Sequence, residues 1–474
     1  MTQFPAGTRY FIAASRLRPG LDGGYTVATL RRALEFASHG GVQPTLLTYD
    51  FWPEYPAIRD EFAALGLATA DTDLRNLYQD ARLDAAFLRS AATPSVAREV
   101  PAGLTLAQDV DSAGRPWRVT ASDASGTPVH TDFLDLQGRP VLRLPYVSGR
   151  ADWHLAPVPI EVFDESGNAI IGVLDGFGAL YRAWTASIVP SGSVVVVEAR
   201  QVGELIGSGP RDFTLVHTVH NAHTSPPYAW DSPMDLLWTN WFASVDQYDA
   251  VIWLTEAQRD DAVRRFGEHS NWVVIPHPAA ALEELPPVSR RDPNRIVMVS
   301  RLADQKRVDH AINAWPAILA EHPDARLEVY GGGVLRPQLE ELIDSLGLGA
   351  SVTLHGHVAD VAAQLETAAA LLLTSRYEGH PLVVAEAFSR GCPVIAYDLS
   401  YGPREMVEHG INGYLVPTGS VEGIAEAVSR VLGDPALIAE LSRGAWDWAR
   451  THGAELAMQR TAELLAALGI GSGD

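Results

Sequence analysis

The sequence predicts an α/β fold in which two Rossmann-like domains face a cleft, with an antiparallel β-meander inserted in the first domain. Strand and helix patterns alternate at both ends of the chain, as in parallel sheets covered by helices. Between residues 101 and 199, short alternating stretches are instead separated by Gly turns. A linker rich in Pro and Arg, residues 286–293, divides the two α/β regions.

The predicted N-terminal domain covers residues 1–285 and begins with a strand, a loop and a helix. A strand is predicted over 9–14, and the spacing of Val27, Leu30 and Leu34 predicts a helix over 26–38. A second strand over 44–48 is followed by helical patterns, the later one over about 73–88. The meander is predicted over about 99–206, without an internal repeat, and is interpreted as an acceptor platform or a surface for homo-oligomers.

The predicted C-terminal domain covers residues 294–474 and repeats the alternation of strands and helices. Its strands are predicted over 296–299, 326–330, 352–354, 370–374 and 394–397. Residues 421–468 are predicted to be almost entirely helical, with the last helix packing back on the first domain. Ligands of open α/β sheets bind at the carboxyl ends of the strands, so we expect the functional site in the cleft between the domains.

Length, charge and cysteine content limit the classes of function. The 474 residues, 47% of them hydrophobic, are typical of a globular protein, and no apolar run reaches the length that spans a bilayer. The net charge of −22 argues against non-specific binding to nucleic acid or to anionic lipid. A single cysteine, Cys392, makes no internal disulfide, and we see no secretory signal. We therefore expect a cytoplasmic protein, at most peripheral to the inner membrane face.

One lysine, Lys306, occurs among the 36 basic residues. It lies with Arg301 on the loop that leaves the predicted strand 296–299. Arginine supplies a bidentate fork and lysine a point charge, so the two can converge on one pair of phosphates. The alternative is a surface ion pair between Asp304 and Arg307 that leaves Lys306 solvated.

A second loop, ahead of a helix predicted to begin near Leu382, has the chemistry of an anion site. Gly379 allows close approach of the backbone, Pro381 suits a first helical turn, and free N–H groups of the helix face the cleft. The separation of Glu378 and Glu386 along the chain argues against an acid–base pair and favours contacts to two parts of one extended ligand. The alternative is that Glu378 caps the helix and Glu386 lies on a solvated face.

Two further features lie at strand ends of the first domain. Gly23-Gly24 permits close approach to a ligand, although most Gly pairs are simply turns. His220 follows a predicted strand, and we expect it to hydrogen-bond a sugar hydroxyl or backbone near the reaction centre. His217 is expected in the core, and the sequence leaves open which of His217, His220 and His223 lies nearest the reacting carbon. We infer no metal site, because no Cys or HExxH set accompanies these histidines.

Together these motifs resemble the retaining glycosyltransferases of family four, which have the GT-B fold. The resemblance rests on Arg301 with Lys306, Glu378 with Glu386, Gly23-Gly24 and His220. It covers nearly all of the second domain and the ends of the first. Residues 396–403 and the meander are similar to bacterial poly(glycerol-phosphate) α-glucosyltransferases, to ribitol-teichoic-acid α-N-acetylglucosaminyltransferases and to the glycosyltransferases of serine-rich adhesins.

The resemblance implies transfer of glucose or N-acetylglucosamine from a UDP-sugar to a polymeric acceptor, with retention and without a metal or cofactor. It implies that Arg301 and Lys306 hold the diphosphate, Glu386 the ribose and Glu378 the hexose. The remaining donor contacts implied are His357 and Val358 for the uracil, and Gly379, His380, Pro381 and Leu382 for the phosphates.

The sequence leaves the acceptor open. An anionic, teichoic-acid-type polymer conflicts with the net charge unless a basic track lies at Arg139, Arg143 and Arg150, or at Arg16 and Arg18. A protein Ser/Thr, a glycolipid or a small sugar is the neutral alternative. The competing functions are a non-catalytic sugar-binding subunit and a phosphorylase with a pyridoxal-bearing lysine. The intact motif residues argue against the first, and a sole lysine with another role argues against the second.

Overall fold

The computed structural model describes residues 4–20, 23–95, 101–147, 153–358 and 360–471. The chain begins with β1 (Tyr10–Ala14), α1 (Gly24–Ser38), β2 (Thr45–Thr48), α2 (Tyr55–Ala64), β3 (Asp73–Asn76), α3 (Leu77–Leu83) and α4 (Ala86–Ala91). The prediction of a helix from about residue 73 is wrong in its first turn, which is the strand β3 paired with β2. The helix begins only after Asn76, whose side chain accepts the N–H groups of Tyr78 and Gln79.

Six antiparallel strands follow: β4 (Thr105–Val110), β5 (Pro116–Ser122), β6 (Pro128–Leu134), β7 (Pro140–Pro145), β8 (Pro159–Phe163) and β9 (Ile170–Asp175). They form one sheet in chain order, with β4 and β9 at its edges. The predicted end of the meander near 206 is wrong, because this sheet ends at Asp175. Its predicted start near 99 lies outside the described residues.

The meander contains an internal repeat, which corrects the expectation of none. Asp111, Asp123 and Asp135 lie twelve residues apart, and each begins a turn of the pattern Asp-x-x-Gly-x-Pro. The Oδ1 atom of each Asp accepts the N–H groups two and four positions further on, at 2.8–3.0 Å. The Gly of each turn has a positive φ, which an L side chain rarely adopts. Each repeat therefore supplies one turn and one strand.

The parallel sheet of the first domain resumes after the meander. Its elements are α5 (Gly176–Ile188), β10 (Val194–Val197), α6 (Arg200–Gly207), β11 (Thr214–Val219), α7 (Leu236–Ala243), β12 (Ala250–Trp253), α8 (Glu256–Phe266) and β13 (Trp272–Val274). The strand order is β13-β12-β11-β10-β1-β2-β3, with all pairs parallel. The four consecutive valines of β10 are all buried, as expected of a central strand covered on both faces.

The second domain contains a parallel sheet of six strands in the order β16-β15-β14-β17-β18-β19. Its elements are β14 (Asp292–Val299), α9 (Val308–Glu321), β15 (Arg326–Tyr330), α10 (Arg336–Ser345), β16 (Val352–Gly356), α11 (Val361–Thr367), β17 (Ala368–Leu373), α12 (Leu382–Ser389), β18 (Val394–Tyr397), α13 (Pro403–Met406), β19 (Gly413–Val416), α14 (Val421–Leu432), α15 (Pro435–Thr451) and α16 (Ala454–Ala467).

Packing joins these parts to one another. The inner face of the meander shares a hydrophobic core with the first parallel sheet, and Phe133 lies in the same cluster as Leu47. The last helix, α16, packs on the first domain, where Met458 joins the core beside α1. The predicted domain extents, 1–285 and 294–474, stay a prediction. In the described part of the chain, we find no helix with both the length and the apolar character needed to cross a membrane.

Candidate active site between the two parallel sheets

Four loops of the second domain meet at the carboxyl ends of its strands. They leave β14, β15, β16 and β17, which are neighbours in the sheet. The N–H of Gly331, after β15, donates to Gly356 O at the end of β16 at 2.7 Å. A Cβ on Gly331 or Gly333 would clash with the carbonyl oxygens of Ser300 or Leu302, so glycine is required for this packing. This role was not predicted, although three consecutive glycines directly after a strand are a visible signal in the sequence.

Lys306 and Glu378 form an ion pair within these loops. Lys306 Nζ donates to Glu378 Oε1 at 2.6 Å, and the two side chains are 16% and 8% exposed. The alternative of a solvated Lys306 is therefore wrong, because its ammonium is bound to a buried carboxylate. Asp304 pairs with Arg376 at 3.1 Å. Loss of either partner of the buried pair would leave the other charge unpaired, which is strongly destabilising.

Hydrogen bonds fix the two loops that carry this pair. Gln305 Nε2 donates to Tyr377 O at 3.0 Å, and the N–H of Arg376 donates to Gln305 O at 2.7 Å. The buried Thr374 donates through Oγ1 to Lys306 O at 3.0 Å. These bonds fix the loops after β14 and β17 and thereby position the ammonium of Lys306 and the carboxylate of Glu378.

Arg301 extends from the same loop toward the first domain. Its side chain is exposed, and a Cβ on Gly23 would lie 4.0 Å from its Cγ and Cδ. Gly23 precedes α1 with a φ of 54°, which favours glycine. A Cβ on Gly24 would lie 3.7 Å from Leu382 Cδ1. The Gly23-Gly24 loop therefore faces both predicted phosphate-binding loops; residues 21 and 22, directly before it, lie outside the described residues.

The loop before α12 packs directly against the first domain. A Cβ on Gly379 would clash with the carbonyl oxygen of His220, at the end of β11. On its other side, Gly402 packs against Pro381 with a φ of 81°. Helix α12 begins after Pro381 without a side-chain cap; the N–H of Val384 donates to Pro381 O at 3.0 Å, whereas the N–H groups of Leu382 and Val383 precede the first intrahelical hydrogen bond. These N–H groups and the positive end of the helix dipole give this position the character of an anion site.

His220 belongs to a buried charge network with Glu198 and Arg32, which was not predicted from the sequence. His220 Nε2 is bonded to Glu198 Oε2, and Arg32 Nε lies 2.6 Å from Glu198 Oε1. Burial alone would raise the pKa of Glu198, but Arg32 and then His220 bring it down to about 2. The carboxylate is therefore ionised. In the sequence, Glu198 could be recognised by its position directly after the four valines of β10, at the carboxyl end of a central strand.

The neighbouring histidines are buried. Burial lowers the pKa of His217 to about 3, and of His223 and His380 to about 4. His277 stacks on His220 with ring centroids 5.3 Å apart. His220, with its side chain 18% exposed, is thus the least enclosed of the three histidines considered from sequence. Across the described ranges, no group of His, Cys, Asp and Glu could hold a metal ion.

The predicted ribose and uracil contacts lie further out. Glu386 Oε1 is 2.6 Å from Nη2 of Arg31 on α1, with the side chains of Arg31 and Glu386 36% and 24% exposed. Glu386 therefore forms an ion pair with the first domain. His357 is exposed on the loop after β16, and Val358 packs partly into the hydrophobic core. Since β16 is the edge strand, these two residues lie at the outer end of the group of loops.

A cleft of about 350 Å³ lies where Arg301 meets the first domain. The residues that line it include Ser15, Tyr25, Glu198, Arg200, Gln201 and Arg301. The carboxylate of Glu198 is already bound by Arg32 and His220, and Arg200 has Glu204 as its ion-pair partner, so the exposed Arg301 gives this cleft a surplus positive charge. This local charge is opposite to the net charge of −22.

The arginines proposed from sequence as a basic track are neutralised by neighbouring carboxylates. Arg139 pairs with Asp135 at 2.7 Å, Arg143 with Asp132 at 2.6 Å, and Arg18 with Asp50 at 2.5 Å. Arg16 also has an interaction partner. Arg150 lies outside the described residues. Neither track is therefore a free cationic surface in the described structure.

Known proteins are similar to this chain in a domain of its sequence and in its fold. Residues 283–448 match the family model described as glycosyl transferases group 1. The fold of the whole chain is similar to that of S. aureus TarM, solved as a mutant in complex with fondaparinux, α-GlcNAc-glycerol and UDP. The TM-score is 0.80 at 16% identity, over 96% of this chain and 99% of that one. The chain has the GT-B fold and contains a group 1 glycosyltransferase domain.

Curated relatives of this GT-B chain carry several activities in their names. It is 36% identical to an exopolysaccharide phosphotransferase of Streptomyces coelicolor, over 46% of this chain and 23% of that protein. It is 30% identical to the poly(glycerol-phosphate) alpha-glucosyltransferase of Bacillus subtilis, over 44% and 32%. It is also 30% identical to the GtfA subunit of a UDP-N-acetylglucosamine–peptide N-acetylglucosaminyltransferase of Streptococcus gordonii, over 48% and 46%. The chain thus spans a quarter to a half of the length of these relatives.

Proposed function

We propose that the protein is a retaining hexosyltransferase that moves glucose or N-acetylglucosamine from a UDP-sugar to a polyol-phosphate polymer of the teichoic-acid type. The observation that carries the proposal is the buried Lys306–Glu378 pair, held at the carboxyl ends of β14 and β17 within the glycosyltransferase domain. The ammonium of Lys306, fixed at this position, would stabilise the negative charge of a leaving diphosphate. The relative from B. subtilis that is named for the same acceptor class supports the choice of polymer.

In this proposal, the donor lies across the loops of the second domain. Arg301, Lys306 and the backbone of Gly379, His380, Pro381 and Leu382 contact the diphosphate. Glu386 binds the ribose after exchanging its ion pair with Arg31, and His357 and Val358 flank the uracil. Glu378 contacts the hexose, and His220 approaches it from the first domain beside Gly23-Gly24.

The proposed reaction needs no protein nucleophile. The bond between the anomeric carbon and the β-phosphate oxygen breaks, and the acceptor hydroxyl attacks from the same face. Its proton passes to the leaving phosphate, so that UDP and the glycosylated polymer are the products. Negative charge grows on the β-phosphate, where Lys306 and Arg301 stabilise it without reorganisation. We propose that no metal or cofactor takes part.

A second candidate is transfer of N-acetylglucosamine to Ser or Thr of a protein. The net charge of −22 favours a neutral acceptor over a polyanion, and the relative from S. gordonii is named as a peptide glycosyltransferase subunit. For either acceptor, we place the reaction in the cytoplasm, since the single cysteine, Cys392, makes no internal disulfide.

The test is UDP release from UDP-glucose and UDP-N-acetylglucosamine, with glycerol-phosphate oligomers, ribitol-phosphate oligomers or a Ser/Thr-rich peptide as acceptor. EDTA is present in a parallel series. We expect turnover with a polyol phosphate in both series, and a loss of roughly 10²–10³ in rate for Lys306→Ala. Arg139→Ala, on the meander, is the control and should retain activity. Full activity of Lys306→Ala would reject the site, and a strict need for a divalent ion would reject the mechanism.

A further inference from the structure

We propose that the 350 Å³ cleft beside Arg301 binds a phosphodiester group of the acceptor, with Arg200 as its principal cation. The inference rests on the proposed function and extends it, because it gives the acceptor a binding site in the first domain. Among the described residues, no arginine of the tracks predicted from sequence lines this cleft.

Arg200 has hydrogen-bonding capacity that the protein does not use. Its Nη1 is buried and forms an ion pair with Glu204 Oε1 at 3.8 Å, too long for a hydrogen bond, and within the described residues this nitrogen has no hydrogen-bond partner. The other oxygen of Glu204 is 2.9 Å from Nε2 of the buried His154. The guanidinium of Arg200 lies 5.4 Å from the ring of Trp238, which holds it in place. The side chain of Arg200 lines the cleft and is 15% exposed, and a guanidinium ion at the wall of a cleft is suited to an anion.

The N-terminus of α6 and the side chain of Arg301 also direct positive charge into this cleft. Arg200 and Gln201 are the first residues of α6, which has no side-chain cap, so the first N–H groups of the helix have no intrahelical acceptor. Arg301 of the second domain lies on another wall, and its exposed guanidinium makes a hydrogen bond of 3.3 Å to Gln305. In the proposed function Arg301 contacts the donor diphosphate, so Arg200 and the N-terminus of α6 are the groups of this cleft that would bind a phosphodiester oxygen.

The acidic residue of the cleft does not repel an anion. Glu198 is bound on one oxygen by Arg32 and on the other by His220. The same residue connects the cleft to the proposed reaction centre, since His220 contacts the Gly379 loop. In a polyol phosphate, a phosphodiester flanks each hydroxyl-bearing unit. A phosphodiester held by Arg200 would thus place a neighbouring hydroxyl near His220.

The test compares Arg200→Gln with Arg139→Gln, an arginine on the meander that pairs with Asp135. KM is measured for a glycerol-phosphate oligomer and for free glycerol, and hydrolysis of the UDP-sugar by water is measured without an acceptor. We expect Arg200→Gln to raise KM for the oligomer about tenfold to a hundredfold, the effect of losing one charged hydrogen bond. KM for glycerol and the rate of hydrolysis should change less than twofold, and Arg139→Gln should match the wild type.

Direct binding of the oligomer, followed by calorimetry with UDP present, separates this inference from the proposed function. If the wild type turns over no UDP-sugar but Arg200→Gln binds the oligomer at least tenfold more weakly than the wild type does, the proposed hexosyltransferase activity is rejected and the phosphodiester site is supported. Equal oligomer binding by the wild type and Arg200→Gln would overturn the site, as would an equal loss toward oligomer and glycerol. A wild type that glycosylates the peptide and binds no oligomer would also overturn it.

Discussion

At the scale of single residues, the sole lysine of the chain is the most specific feature of the site. The sequence uses arginine at every other basic position, yet the group beside Glu378 is an ammonium. Its geometry explains the choice. A compact ammonium fits a position that is 16% exposed and 2.6 Å from a buried carboxylate, whereas a planar fork needs a wider space.

Lys306→Arg should therefore lose rate although it keeps the charge. We expect a loss of about 10²-fold in kcat, because the displaced cation no longer meets the leaving phosphate. Steady-state UDP release measures this, and the reverse exchange at an exposed position, Arg139→Lys, should leave kcat within twofold. A Lys306→Arg variant with wild-type kcat would show that only charge matters here.

Glu198→Gln tests the buried network around His220. The folded-state pKa of Glu198, about 2, lies below its usual 4.5, so ionised Glu198 stabilises the fold fully above pH 4.5. This stabilisation is lost as the pH falls from 4.5 toward 2. We expect Glu198→Gln to unfold with about 3 kcal/mol less free energy at pH 7, since Arg32 loses its buried partner. Denaturant titrations should give the full difference at pH 8 and a narrowing one below pH 4.5; Glu35 beside this network, whose pKa burial raises to about 7, titrates between these limits. A difference independent of pH would contradict the prediction.

At the scale of elements, α1 and α12 are joined by the ion pair between Arg31 and Glu386. The pair is partly exposed, so its contribution to stability is within about 1 kcal/mol and weakens with salt. In the proposed function, Arg31 and the ribose of the donor compete for Glu386. If Glu386 binds the ribose of the donor, the nucleotide must displace Arg31.

Arg31→Ala should thus bind UDP more tightly than the wild type. The expected gain is about two- to fivefold in Kd, the equivalent of one surface ion pair. Isothermal titration with UDP measures it, and added salt should reduce the difference between the two proteins. Weaker binding by Arg31→Ala would show that Arg31 itself contacts the nucleotide.

At the scale of the whole molecule, the sequence predicted the architecture through periodicity and turn residues. Alternation of strands and helices gave both parallel sheets, and Gly turns gave the meander. The fold class is confirmed by the similarity to TarM. Position at strand ends also selected Lys306, Glu378 and His220 as candidates, because loops at the carboxyl ends of parallel strands gather at one edge.

The contacts between distant segments could not be predicted. Nothing local links Lys306 to Glu378, or Arg31 to Glu386, because each pair forms only when sheets and helices pack. The predicted meander includes β10 because a Gly turn precedes it, like the Gly turns that separate the strands of the meander. The four buried valines of β10 were the contrary evidence, since a strand with one face in solvent would alternate.

The shared core of meander and first sheet predicts that the two unfold together. Phe133 is 5% exposed and its ring packs against those of Phe51, Tyr78 and Trp117. Phe133→Ala should lower the free energy of unfolding by about 3–5 kcal/mol through cavity formation. Tryptophan fluorescence and far-UV circular dichroism should still give coincident denaturant transitions. Separate transitions would show that the meander is an independent unit.

The twelve-residue turn repeat restricts how the meander can change in length. Each copy reverses the direction of the chain, so one added copy would deliver the polypeptide to the wrong end of the sheet. Growth or loss is therefore tolerated in pairs of copies, about 10 Å of sheet width at a time. Homologous meanders should differ by even numbers of strands, and the reach of the outer edge should vary in discrete steps.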